Sequence, residues 1–386
     1  MRLPLPLLSL LVHLYVGWRL LPALAQTTPL ASGLLTVWLV ISALLLPLSL
    51  RAPIWARGGR VGTWLKVGGL IAMGLFSSLM VLTFLRDVVL ALGTAASFVM
   101  SGSQEVLEAF RLWSARLIPL MAVAGTLFGA FNARRTAQVR RVDVPITDLP
   151  PAFEGFTIAQ LSDVHVGPTI RGPYVQALVD RVNALGADLV AITGDLVDGS
   201  VPALRKHVAP LASLKSRHGS FFVTGNHEYY AGADAWIAEL RRIGIDVLLN
   251  SHVTIASRDA GGLPLVLAGV ADYGAGHFDV RHQSDPVRAM AGSPAEAAAR
   301  VLLAHQPRSA GAAEPVGFDL QLSGHTHGGQ FWPWNHFVRF QQPYVAGLHK
   351  LGRMWVYVSR GTGYWGPPKR LGAPSEITLL RLVKAG

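Results

Sequence analysis

The rhythm of hydrophobic positions changes near residue 150. Before it, four long apolar runs stand out, at residues 3–25, 33–50, 67–85 and 117–131. Most approach the roughly 20 residues that a helix needs to cross a bilayer core. They predict a transmembrane region of about four helices over residues 1–135, followed by a linker over 136–154. The first run ends in Ala23-Leu24-Ala25, which imitates a signal-peptidase site. Arg19 lies inside that run and there is little basic lead, which favours an uncleaved helix.

Beyond residue 155 the apolar runs shorten to strand length and end on polar side chains. Residues 156–161 lead into Ser162-Asp163, 188–193 into Gly194-Asp195, and 220–224 into Gly225-Asn226-His227. Between the first two, Val175, Leu178, Val179 and Val182 recur at helical spacing, and 204–214 reads as a second helix. This β-α-β-α-β order implies parallel strands with helical crossovers. Later strands are expected at 246–249, 265–269, 300–304, 319–322, 354–359 and 376–382. The predicted fold class is α/β: a two-sheet α/β sandwich with helices outside over residues 155–386, preceded by the transmembrane α-helical region.

Composition assigns different roles to the two halves. Hydrophobic residues make up 51% and charged residues 15%, too apolar for an ordinary soluble enzyme. The first 149 residues hold 13 Lys/Arg against 5 Asp/Glu, and the remainder 21 against 18. The basic character thus sits in the apolar half, and the near-balanced second half argues against a nucleic-acid partner. Histidine is divided the other way, with 12 of 13 after residue 150. Cysteine is absent, so any metal must be held by His, Asp, Glu or Asn.

Basic residues also predict an orientation. Arg51, Arg57, Arg60 and Lys66 lie between the second and third runs, and Arg134, Arg135, Arg140 and Arg141 follow the fourth, whereas residues 26–32 carry none. Both chain ends and the 51–66 loop are therefore expected on the cytoplasmic side. A loop over 86–116, holding three arginines, is expected on the other side and weakens that pattern. His13 and Arg19 within the first run read as interfacial charges of an anchor, because no paired polar positions on facing helices are evident.

The polar residues after the strands recur at equivalent places. Asp163 and His165, Asp195 and Asp198, Asn226 and His227, His305, and His325 with His327 each follow an apolar strand. In α/β sheets the carboxyl ends of strands face one crevice where ligands bind. Five strand ends bringing nitrogen and oxygen ligands to one rim predict a convergent site.

The motifs Asp163-Val164-His165, Gly194-Asp195-Leu196-Val197-Asp198, Gly225-Asn226-His227-Glu228, His305 and Gly324-His325-Thr326-His327 resemble the motif series of the calcineurin-like metallophosphoesterase superfamily, over residues 156–383. The stretch 324–330 and Pro374-Ser375-Glu376-Ile377 are similar to its bacterial, often membrane-associated branch. The resemblance implies a hydrolase acting on phosphate esters. It implies that Asp163, His165 and His327 hold one metal, that Asn226, His305 and His325 hold another, and that Asp195 bridges them. Two cations about 3.5–4 Å apart can clamp the attacking and leaving oxygens of an in-line displacement. Imidazole and carboxylate without thiolate suit Mn, Fe or Zn. A metal-bridging hydroxide is then the implied nucleophile.

His227 resembles the family's non-ligand histidine, which stabilises the transferring phosphoryl group or protonates the leaving oxygen, and Asp198 would orient it. A third ligand on one metal remains open for His227, as does an exposed turn carboxylate for Asp198. Glu228 reads as a helix-start carboxylate with no catalytic role. Asp272 and His277 read equally as pocket or loop residues, and His252, His282, His336 and His349 as surface or packing residues. The aromatics of 331–334 could receive an apolar part of the substrate or pack internally. Lys369 and Arg370 read as solvated surface charges, with contact to phosphate or anionic headgroups as the alternative.

The expected protein is a membrane-anchored metal-dependent phosphoesterase acting on a phosphate mono- or diester, with a lipid headgroup suggested by the tether. The expected location is multi-pass in a bacterial inner (plasma) membrane, with the catalytic domain cytoplasmic. An anchored phosphoprotein phosphatase or nucleotide phosphodiesterase is an alternative. From another class comes a membrane sensor or transporter with a silent phosphoesterase domain.

Overall fold

The computed structural model describes residues 4–50, 60–98, 103–257, 259 and 262–386. Two compact units are present: Met1–Phe131 with Gly366–Lys369, and Asn132–Trp365 with Arg370–Gly386.

In the first unit, helices α1 (Leu5–Thr27), α2 (Pro29–Ser49), α3 (Arg60–Ser97) and α4 (Ser103–Arg134) are each long and apolar enough to cross a membrane. Prolines open α1 and α2 in the first turn, where a missing N–H costs nothing. Val16, Leu20 and Leu24 of α1 pack with Leu39 of α2, Phe76 and Leu79 of α3, and Ile118 of α4. Many large apolar side chains point outward instead, Trp18 and Leu44 among them. An outward apolar surface of this kind suits lipid rather than water. Arg51 and Arg57 lie outside the described residues.

Three features of this unit differ from the sequence expectations. Residues 86–116 are helical up to Ser97 and again from Ser103, because the apolar pattern runs on through Val88, Val89 and Leu92 and meets no proline. Polar positions on facing helices are also paired. Asp87 of α3 accepts from Tyr15 Oη (2.7 Å) and Arg19 Nε (2.8 Å) of α1. Arg86 Nε donates to Ser114 Oγ of α4 (2.9 Å), and His13 Nε2 lies 3.1 Å from Ser42 Oγ of α2. Lys369 is buried rather than solvated: its Nζ donates to Gly74 O (3.1 Å) and Thr126 Oγ1 (3.0 Å) within this unit.

Among the described residues of the second unit, twelve strands form two six-stranded sheets. One has the order β1-β12-β2-β3-β4-β5 and the other β10-β11-β9-β8-β7-β6. The strands are β1 (Gln138–Ile146), β2 (Thr157–Leu161), β3 (Leu189–Thr193), β4 (Ser220–Val223), β5 (Asp246–Val247), β6 (Ser251–Ile255), β7 (Leu265–Gly269), β8 (Ala299–Leu303), β9 (Leu320–Ser323), β10 (Gly347–Leu351), β11 (Met354–Val358) and β12 (Glu376–Lys384). Strands β2, β3 and β4 run parallel, as do β7, β8 and β9. Such strands are buried on both faces and read as unbroken apolar runs. Ile158, Leu189 and Phe221 of the first sheet meet Leu267, Val301 and Leu320 of the second in one core, so the sheets pack face to face. Helices α5 (Gly172–Asn183), α6 (Val201–Val208) and α7 (Ala233–Arg242) cover the outer face of the first sheet, with Leu178, Leu204 and Trp236 buried there.

Residues 136–154, expected as a linker, contain β1. It pairs parallel with β12 over nine residues, from Gln138↔Glu376 to Ile146↔Lys384. Strands β6 and β10 are likewise absent from the sequence prediction. All three are edge strands with half-exposed polar positions, where neither apolar alternation nor an apolar run develops.

Candidate metal centre

Strands β2, β3 and β4 are neighbours in one sheet, and β8 and β9 in the other. The turns that follow them meet across the sheets. His325 N donates to both Asp163 oxygens (2.9 and 3.0 Å), and His305 Nδ1 donates to Thr193 O (2.7 Å). Asp163, His165, Asp195, His325 and His327 all adopt left-handed backbone, with φ between 52° and 70°. For non-glycine residues that conformation costs on the order of 1–3 kcal/mol each and persists where the surroundings impose it. Gly225 and Gly324 permit the close approach: a Cβ at Gly225 would overlap Asp195, and one at Gly324 would overlap Ser162 and Asp163.

The sequence-predicted ligands converge in two groups, Asp163–His165–His327 and Asp195–His305–His325. His165 Nε2 lies 3.0 Å from His327 Nε2, and His327 Nε2 is 3.6 Å from Asp163 Oδ1. His305 Nε2 lies 3.2 Å from His325 Nδ1 and 3.1 Å from Asp195 Oδ2. Atoms each about 2.1 Å from a shared cation stand roughly 3–3.5 Å apart, so these spacings fit divalent metal coordination. Asp195 Oδ2 also lies 3.9 Å from His165 Nε2, between the two groups. Asn226 Oδ1 is buried and has no hydrogen-bond partner among the described residues. A buried amide oxygen left without a donor is costly and fits a cation ligand. The donor set therefore fits the metals that the motifs imply.

Electrostatics supports the same fit. Burial, followed by the nearby His305 charge, holds His325 down at about 3, so its ring stays neutral with a lone pair to offer. Burial and Arg370 hold His327 well below its ordinary value. Burial alone would raise Asp195, but His305, His227 and His165 outweigh it and keep the carboxylate well below its usual range. Arg370 NH2 lies 3.1 Å from His327 Nδ1 and fixes the plane of that ring.

Asp198 is partly buried and bonded, not an exposed turn carboxylate. Its Oδ1 accepts from His227 Nδ1 (2.6 Å) and His165 Nδ1 (3.0 Å). Both rings donate Nδ1–H to this one carboxylate oxygen, so His165, Asp198 and His227 form a bonded network beside the two ligand groups. It directs both Nε2 atoms inward, and the Nε2 of His227 stands 4.0 Å from Asp195 Oδ2. Burial would lower His227, yet Asp198 and Asp195 raise it to about 9.

Three groups in the site were missed or misread from the sequence. Glu228 is fully buried and accepts four backbone amides: Asp195 N (3.0 Å) and Gly225 N (2.7 Å) on one oxygen, Leu196 N (2.8 Å) and Val197 N (3.3 Å) on the other. It ties the turn after β3 to the turn after β4. Burial and the Asp195 charge push it up to about 7, while those amides pull the other way. Arg370 is buried instead of solvated, because its guanidinium donates to the carbonyls of His327, Arg360, Gly363 and Ala373. Tyr230 and Trp365 flank His227 with ring centroids 5.3 and 5.9 Å away, and both are about half exposed or more. Tyr230 could have been flagged as an aromatic three residues after His227, whereas Trp365 follows no ligand motif.

The remaining candidates separate cleanly. Asp272 is buried and accepts from Gln306 Nε2 (2.9 Å) and Gly274 N (2.8 Å), and His277 is exposed. His252 bonds Ala289 O, His282 meets Tyr229, His349 stacks on Tyr344, and His336 is exposed. Phe331 is buried, whereas Trp332 and Trp334 are exposed.

Two sheets face to face, with histidines and carboxylates gathered at their strand ends, define a metal-dependent phosphoesterase. The family of calcineurin-like phosphoesterases matches residues 156–329. The chain is 35% identical over 328 residues to a zebrafish (Danio rerio) transmembrane protein with metallophosphoesterase domain, covering 83% of this chain and 74% of that one. A bovine (Bos taurus) protein of the same description is 40% identical over 282 residues, covering 70% and 63%. A metallophosphoesterase of Aquifex aeolicus is 31% identical over 265 residues, covering 67% and 98%. The chain belongs to the calcineurin-like metallophosphoesterase superfamily. It is a membrane-associated hydrolase of phosphate esters that uses divalent metal.

Proposed function

We propose that this phosphoesterase holds two divalent cations and hydrolyses a phosphate ester carried on a lipid, with its site on the cytoplasmic side of the membrane. The observation that carries the metal reading is the pair of buried ligand groups with Asp195 Oδ2 between them and the partnerless Asn226 Oδ1 beside them. Asp163, His165 and His327 would hold one cation, Asn226, His305 and His325 the other, and Asp195 both. When bound, such cations activate water and offset the charge of the phosphoryl group.

The chain's own residues supply the rest. Asp195 Oδ1 accepts from His227 N (2.9 Å), which fixes the start of the turn carrying His227. Asp198 holds the proton of His227 Nδ1, so the protonated ring presents Nε2–H to the site. That proton can stabilise a phosphoryl oxygen and pass to the leaving oxygen as its bond to phosphorus breaks. Tyr230 and Trp365 form an exposed aromatic flank beside His227, suited to an ester with an apolar or aromatic part. The arginines at 134, 135, 140 and 141, at and beyond the end of the last apolar helix, support the cytoplasmic orientation.

The test is turnover by the full chain across a panel of mono-, di- and cyclic phosphate esters, each with Mn, Fe or Zn restored after chelation. Lipid phosphoesters in micelles should be turned over faster than soluble nucleotides or phosphopeptides. Equal or better turnover of the soluble esters would overturn the lipid reading.

A further inference from the structure

We propose that the helical region contains a binding site for the phosphate of an anionic phospholipid, built on Arg19. This inference is independent of which ester the metal centre hydrolyses. Its basis is an arginine held in place but left half-used. Arg19 Nε donates to Asp87 Oδ2 at 2.8 Å, and that is its hydrogen bond among the described residues. The two terminal nitrogens, with four N–H donors, meet no acceptor there. The side chain is 31% exposed, with its guanidinium 5.3 Å from the ring of Trp18, which is itself 72% exposed.

Asp87 is itself held in place, because it also accepts from Tyr15 Oη (2.7 Å) and Arg86 NH1 (3.3 Å). Arg86 is in turn committed to Ser114 Oγ (2.9 Å) and Arg111 O (3.1 Å). The guanidinium of Arg19 is therefore oriented before any ligand arrives. Two arginines against one aspartate leave this network with one net positive charge. A planar fork with paired free donors and excess positive charge matches the bidentate recognition of a phosphate.

Depth in the helices identifies the source of that phosphate. Arg86 lies 20 residues beyond Lys66 on α3, about 30 Å along a helix. Ser114, bonded to it, lies 20 residues before Arg134 on α4, again about 30 Å. That distance is roughly one hydrocarbon thickness, so the network stands at headgroup level in the leaflet opposite those basic ends. An exposed tryptophan beside an arginine is the side-chain pairing that occupies this level. The same helix exposes apolar side chains such as Leu14, a surface that an acyl chain tolerates and a hydrated free ion does not.

The full chain, purified and stripped of lipid, would be titrated with phosphatidylglycerol and separately with phosphatidylcholine, counting bound lipid by native mass spectrometry. Phosphatidylglycerol should bind preferentially. Arg19→Gln should weaken that binding about tenfold or more, the usual weight of a charged hydrogen bond. Arg19→Lys should fall between, since an ammonium keeps the charge and loses the fork. Turnover of a soluble ester should be unchanged in both variants, which separates this site from the metal centre. Undiminished phosphatidylglycerol binding by Arg19→Gln would overturn the proposal. So would equal retention of phosphatidylcholine, or complete displacement of bound lipid by inorganic phosphate. Should the glutamine variant fail to fold, lysine carries the test, and wild-type affinity in Arg19→Lys refutes the bidentate site.

Discussion

Replacing Asp198 by asparagine isolates the charge behind His227. Asparagine keeps an oxygen that accepts from His227 Nδ1, so the ring stays oriented while the carboxylate charge is lost. The bond is 2.6 Å long and partly buried, and His227 stands at about 9 with Asp198 as the chief raising influence. An opposite charge at this range shifts a pKa by about 1–3 units, so the variant should bring His227 down to about 7. At pH 8 the protonated fraction then falls from about nine-tenths to about one-tenth, a roughly tenfold loss of rate; at pH 6 nearly all the rate remains. The sign follows from the role: a group that donates a proton acts below its pKa, so the alkaline limb of the profile moves to lower pH. Bound cations oppose the charge of Asp195 and move both profiles to lower pH, so the displacement between the two profiles is the quantity read. The assay is kcat/KM from pH 5 to 10 on a soluble ester at saturating cation, with metal content measured in parallel. An equal loss at pH 6 and pH 8 would show that Asp198 acts through His165 and its metal, and would refute the reasoning.

Two further perturbations probe the site's supports. Glu228→Gln places an amide against backbone N–H donors that now meet a carboxylate; it should cost about 2–3 kcal/mol, near 5–10 °C in Tm, and weaken metal retention, as read by calorimetry and elemental analysis. An unchanged Tm would remove Glu228 from the account. Trp365→Ala should raise KM for a lipid-linked ester several-fold while leaving a small soluble ester unaffected, and equal effects on both would deny the aromatic flank a binding role.

The strands that carry the site were readable because parallel strands buried on both faces are unbroken apolar runs, and each ends where a ligand begins. Asp163, Asp195 and His305 could be assigned to one rim on that pattern alone. Edge strands such as β1 could not, since Gln138, Arg140 and Arg141 are exposed and the pairing with β12 spans most of the unit. Glu228 and Arg370 were misjudged for another reason. Their partners are backbone groups, which carry no sequence signature, so a buried charge looks like a surface one. The helical network was hidden by distance along the chain: Tyr15 and Arg19 meet an aspartate 72 and 68 residues away.

We propose that Asp195 joins two cation sites whose joint occupancy makes the enzyme. The most direct measurement is elemental analysis of the purified full chain after metal restoration, with turnover followed as cation is added. Wild-type protein should retain about two cations and become active only as the second is taken up. Asp195→Asn should lose both cations or their coupling, along with activity. Full occupancy and normal turnover in Asp195→Asn would contradict the account.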